Sequence, residues 1–146
     1  MIAALIKSNI HFTNQAIEMV DSLTPEQYNA TDDAVFASSI GKHLRHSIDH
    51  FQNFFAGLDV GKINYDARSR DRETEVDKSF ARKRLIQIRY DFDHLPNQDG
   101  QRELLVGINC HASGEGEVNW AKSTLERELQ FLVSHCLLYT SPSPRD

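Results

Sequence analysis

Three imidazoles stand close together in the chain, at His43, His46 and His50, with spacings of three and four residues. A helix carries residues i, i+3 and i+4 past the same point, so this spacing brings the rings to one side of a single helix. A strip of imidazoles beside an apolar stripe can offer ring nitrogens to a divalent metal from within a helical bundle. One helix rarely completes such a site. The histidine on a comparably amphipathic helix downstream is His135, which follows Leu125, Leu129 and Leu132.

Where these rings meet depends on the elements that carry them. Leu5, Ile6, Ile10, Ala16, Ile17, Val20 and Leu23 recur with helical spacing and predict a first helix over 2–23. Thr24-Pro25-Glu26-Gln27 is a capping box with proline at the first helical position, which predicts a short helical turn through Tyr28. Residues 29–37 read as a loop. Ser38 or Ser39 can cap the histidine helix, whose buried stripe is Ile40, Leu44, Ser47, Phe51, Phe54, Phe55 and Leu58, and which ends near Gly57 or Gly61. At roughly 100° per residue, His43 and His50 flank that stripe and His46 lies further round.

Residues 59–70 are polar and aperiodic, a connector long enough to cross the end of a bundle. A helix over 71–95 then turns Ala81, Leu85, Ile88, Phe92 and Leu95 inward. Extending that face backward places Thr74 and Asp77 on it, either at a pocket mouth or, with a slight roll of the helix, in water. Pro96-Asn97-Gln98-Asp99-Gly100 stops the helix. Leu104, Val106 and Ile108 alternate, as do Val118 and Trp120 beyond the turn-forming Ser113-Gly114-Glu115-Gly116, so a small hairpin is predicted with Trp120 at its buried centre. Ser123-Thr124-Leu125-Glu126 is a second capping box, and Leu125, Leu129, Leu132 and Cys136 give the last helix its stripe, flanked by His135.

After Cys136 the helical pattern lapses. Residues 137–146, which include Pro142 and Pro144, resemble the translated read-through of a sequencing adaptor and are expected to be non-native; the alternative is an ordinary disordered tail. The 146 residues are enough for one domain with a real core, expected over 1–136. Sixteen basic against 21 acidic side chains give a net charge of -5, which argues against general nucleic-acid binding. The basic clusters Arg68, Arg70, Arg72 and Arg82, Lys83, Arg84 read as solvated surface. Cys110 and Cys136 form no disulfide framework, and the first residues read as neither a signal peptide nor a membrane span, so a cytoplasmic protein is expected.

Taken in order, Gly41, His43, Arg45, His46, Asp49 and His50, then Asn64-Tyr65-Asp66-Ala67-Arg68 running on to Glu75-Val76-Asp77, the hairpin, and the helix from Ser123 to His135 resemble the DinB superfamily, in the branch with Gly-x-His-x-Arg-His-x-x-Asp-His on one helix. The resemblance covers residues 1–136. It implies an all-α fold, an up-down four-helix bundle with a small β-hairpin inserted before the last helix. It also implies a divalent metal, zinc or nickel, held by one histidine of the second main helix and a His-x-x-x-His pair on the last. These positions fall on His46 and His135, whereas the third falls on Tyr139, so the set is incomplete and metal affinity is expected to drop. His50, one turn beyond His46, is the reserve ligand, and Asp49 and Arg45 are candidates to orient an imidazole. His43 reads as a structural histidine, His94 as a complement to its helix dipole, and His11 and His111 as surface residues.

Two classes of function follow. One is an enzyme resembling the superfamily's thiol-transferring members, in which a metal stabilises the thiolate of a low-molecular-weight thiol, with Asp49 or Asp77 relaying protons. The other is a non-catalytic metal-binding or stress-associated bundle, dimeric through an apolar helix face. A third reading is a fragment whose shortened last helix leaves the core unfinished.

Overall fold

The computed structural model describes residues 2–29, 40–66, 72–108 and 118–140. The expected capping serines, most of the 29–37 loop, Arg68, Arg70, Cys110, His111 and the Ser113-Gly116 turn lie outside them, as do residues 141–146. Among the described residues are six helices and a three-stranded sheet. The helices are α1 (Ile2–Ser22), α2 (Pro25–Asn29), α3 (Ile40–Leu58), α4 (Arg72–Val76), α5 (Lys78–Asp93) and α6 (Leu125–Thr140); the strands are β1 (Lys62–Ile63), β2 (Glu103–Ile108) and β3 (Asn119–Thr124). None of these helices is long and apolar enough to cross a membrane.

The four longer helices pack around one core, with α1 and α3 each lying against both α5 and α6. Leu44, Ile48, Phe51, Phe54, Leu85, Ile88, Phe92, Leu125, Leu129 and Leu132 fill it, each buried. Full burial of one such side chain stabilises by roughly 1.5–3 kcal/mol. Asn9 joins α1 to α6 across this core, its Nδ2 donating to the Leu129 carbonyl at 3.2 Å. Helix α3 is enclosed more completely than its apolar spacing suggests, for Ser47, Ile48, Asp49, His50 and Phe51 are consecutive and all buried. Polar side chains on such a helix must find partners inside the protein.

Local chemistry explains most boundaries. The first capping box is reciprocal: Gln27 N–H donates to Thr24 Oγ1 at 3.1 Å and Thr24 N–H to Gln27 Oε1 at 2.9 Å. The expected 71–95 helix is two helices, because Asp77 adopts an extended backbone and caps α5, accepting from the N–H groups of Ser79 and Phe80. Of the two alternatives for these residues, Asp77 takes the one in water, exposed as the cap of α5, while Thr74 takes neither and is fully buried. The second box is shifted by one residue. Thr124 Oγ1 accepts from Arg127 N–H, while the Ser123 hydroxyl serves a different partner.

The hairpin forms with Leu104 opposite Ser123 and Val106 opposite Ala121, and β1 adds a parallel third strand beside β2 that the connector's lack of periodicity concealed. Gly61 makes this possible: its φ of 78° turns the chain back after α3, so that β1 crosses close above Gly57. Leu104 is the buried centre of the hairpin. Trp120, expected there, is 42% exposed and carries Lys62 Nζ 5.4 Å from its ring centroid, because its place across from Gly107 is on the outer face of the sheet. The backbone of α6 continues helically to Thr140, four residues into the segment expected as a tail.

Candidate metal centre

Helices α3 and α6 bring His46, His50 and His135 together. Ring centroids are 4.6 Å apart for His46 and His50, 5.3 Å for His46 and His135, and 4.2 Å for His50 and His135. One nitrogen from each ring lies within 4.8 Å of the other two. Nitrogens sharing a tetrahedral ion at 2.0–2.1 Å stand about 3.4 Å apart, so modest side-chain rotations bring these three to ligating separation. His46 reaches the group although it lay furthest from the predicted stripe, because α3 is covered on several sides. His43, half-buried, lies outside the group.

Protonation favours ligation. His50 Nδ1 stands 2.9 Å from the carbonyl oxygen of His46, one turn back on α3. A carbonyl only accepts, so Nδ1 carries a proton, and in the uncharged form of the ring the lone pair is on Nε2. Burial, followed by the neighbouring His50 and His46, pushes the His135 imidazole down to about 4, and its Nε2 is sealed from solvent. Near neutral pH this ring is therefore an uncharged donor. Three imidazoles form a donor set of the kind that zinc or nickel takes.

The backbone carbonyl thus orients one imidazole. The Asp49 carboxylate, a candidate for the same task, is 3% exposed and lies between Arg45 Nη1 at 3.8 Å and Arg84 Nη2 at 3.7 Å, and Arg45 Nε reaches Glu75 at 3.2 Å. Thr74 extends the group, accepting from Arg84 at its hydroxyl and from Tyr28 at its carbonyl. Burial, aided by Asp77 and Glu75, pushes the Tyr28 phenol up and keeps it a donor. The order Arg-His-x-x-Asp-His therefore serves two sides of one helix: Arg45 and Asp49 meet α4 and α5, while His46 and His50 meet α6.

Around the imidazoles lie residues that the sequence did not single out. Tyr65 stacks on His50 with centroids 5.4 Å apart and planes 17° from parallel, and its hydroxyl donates to Glu128 Oε1 at 2.8 Å. Burial and the Glu128 charge push this phenol up. Glu128 Oε2 accepts from the Ser123 hydroxyl at 2.6 Å. Phe131, 41% exposed, touches His50, His135 and Tyr65. Tyr65 was visible within a matched motif, but an aperiodic connector gives no sign of where a side chain points, and Glu128 resembles any acid in the first turns of a helix. His94 stacks on Tyr90 at the end of α5, and His11 is exposed beside Phe12. Comparison with protein-family models, curated proteins and solved structures returns no match for this chain.

Proposed function

We propose that the protein is a DinB-like four-helix bundle that binds one divalent transition metal through His46, His50 and His135. The observation that carries this reading is the convergence of three imidazoles from two helices within 4.8 Å. His50 takes the place that the family pattern gives to position 139, so the set has three protein nitrogens without that residue. Facing α6, His46 and His50 supply two donors from successive turns of one helix, and His135 closes the set from the other.

For such a centre we propose thiol transfer, the reaction that the family resemblance suggests, with a non-catalytic metal-binding bundle as the alternative. When bound, the metal would lower the pKa of a coordinated low-molecular-weight thiol and so make its thiolate available at neutral pH. The protein's own part is to hold three imidazoles in place and leave the remaining coordination positions to small molecules. Phe131 offers an apolar surface beside them.

Zinc and cobalt titration of the chain beside His46→Ala, His50→Ala and His135→Ala tests the metal site. One equivalent is expected to bind, and each variant should lose at least about tenfold in affinity. Absence of stoichiometric binding to the unsubstituted chain would overturn the reading. Binding without transfer across a panel of cellular thiols would leave the non-catalytic bundle as the function.

A further inference from the structure

We propose that Tyr65 is a positioning residue for this centre: anchored at its hydroxyl by Glu128, it sets the plane of the His50 imidazole. The inference rests on the reading of His50 as a ligand. It concerns how that ring is held, a question the ligand set leaves open.

Three contacts act on His50 from different directions. The His46 carbonyl accepts from Nδ1, and the rings of Tyr65 and His135 both lie nearly parallel to the imidazole, 5.4 Å and 4.2 Å away between centroids. His135 is the ring that must turn to share an ion, which leaves Tyr65 as the flat neighbour able to stay in place. An in-plane hydrogen bond alone lets a ring rock about the bond axis, whereas a flat neighbour opposes that motion. A neighbour can do so only if it is itself fixed, and Tyr65, 9% exposed, is fixed at two points: its backbone carbonyl accepts from Asn53 Nδ2 at 3.3 Å, and its hydroxyl donates to Glu128.

Glu128 has little freedom of its own. It is 8% exposed, and both its oxygens accept from hydroxyls, Tyr65 on one and Ser123 on the other. It lies in the opening turns of α6, where the helix dipole favours a negative group. The same helix carries His135, two turns further on. Glu128 therefore ties the connector residue Tyr65 to the helix that supplies the third imidazole, and the chain Ser123, Glu128, Tyr65, His50 runs unbroken from the sheet to the centre. Outer partners of this kind fix ring orientation and typically account for ten- to hundredfold in metal affinity.

The test uses the full chain and two independent readouts. In protein stripped by chelator, nitrogen-15 NMR reports the His50 tautomer and the exchange rate of its Nδ1 proton; cobalt titration reports affinity and the visible spectrum of the site. Tyr65→Leu should speed exchange about tenfold and weaken cobalt about tenfold or more with an altered spectrum. Tyr65→Phe retains the ring and core volume and should give a smaller change of the same sign, about threefold in each. Glu128→Ala removes the acceptor of the phenol and should reproduce the Tyr65→Phe change, about threefold in each readout. The proposal is overturned if Tyr65→Leu and Tyr65→Phe, folded by circular dichroism, both match the parent in exchange and in cobalt binding. If the parent binds no cobalt the metal reading fails by itself, and the exchange measurement still decides whether Tyr65 holds His50.

Discussion

The imidazoles of His50 and His135 stack, with centroids 4.2 Å apart and planes 23° from parallel. Stacked rings aim their in-plane lone pairs side by side, so one must turn before both can share an ion. His50 is bonded through Nδ1 to the His46 carbonyl, which leaves the turn to His135. Zinc should therefore change the His135 ring signals more than those of His50 in an NMR titration. Equal changes in the two rings would contradict the assignment of motion.

Burial of His135, and then its histidine neighbours, sets part of the pH response of the metal-free protein. His135 is pushed down to about 4, while the unfolded chain titrates near the ordinary value of 6.5. Above that value neither state is protonated at this ring and its contribution is constant. Between 6.5 and about 4 only the unfolded state takes up the proton, so stability is lost as pH falls, by at most about 1.4 kcal/mol per unit. Urea melts at pH 7, 5.5 and 4.5 should show this loss, and His135→Gln should flatten the slope over that interval. An unchanged slope in the variant would remove His135 from the account.

Asp49 is predicted to matter for folding rather than for ligation. It lies between two guanidinium groups and is almost wholly buried, so Asp49→Ala leaves the two cations Arg45 and Arg84 close together with Glu75 as the carboxylate beside Arg45. Breaking a buried pair from one side costs about 3–5 kcal/mol, and the long separations here place the expected loss near the lower end. Urea denaturation measures it. Cobalt affinity of the folded fraction should stay within about threefold of the parent, whereas a hundredfold loss would restore Asp49 to the metal centre.

Helix spacing and capping chemistry made α1, α2 and the inward faces of α5 and α6 readable, because each depends on neighbours three or four residues apart. His46 and His135 could be paired only through family resemblance; angular position on α3 favoured His43 and His50. That geometric argument assumed one buried stripe, and it weakens when five consecutive residues of the helix are enclosed. The break at Asp77 is not legible in the sequence, since an aspartate can sit within a helix or cap one and only its extended backbone decides between them. Strand β1 and Tyr65 were hidden for a related reason. Two paired residues carry no period, and their placement depends on the turn at Gly61 and the bare surface of α3 at Gly57.

Gly57 makes that surface testable. A Cβ there would lie 2.1 Å from the Lys62 carbonyl oxygen and 2.8 Å from Ile63 Cα, both backbone atoms that cannot rotate away. Gly57→Ala must lift β1 from α3, at a cost of about 1–3 kcal/mol, and should disturb Tyr65 two residues beyond. Gly61→Ala meets no atom within 4 Å but places a side chain at a φ of 78°, which costs about 1–2 kcal/mol. Both variants should melt earlier in urea, yet only Gly57→Ala should also weaken cobalt binding. Equal cobalt affinity in the two would separate the β1 placement from the centre.

The helical backbone of α6 through Thr140 makes position 139 a direct test of which imidazoles ligate. It lies four residues past His135 and so one turn along the same side of the helix. If His46, His50 and His135 form the set, Tyr139→His adds a donor to a site that already has three, and zinc affinity measured by competition with a chromophoric chelator should rise no more than about tenfold. In a His50→Ala background the same substitution replaces a lost donor and should recover most of the binding. The opposite pattern, a hundredfold gain in the parent with no effect of His50→Ala, would show that His50 is a bystander held against Tyr65 and that the working set is the one in the family pattern.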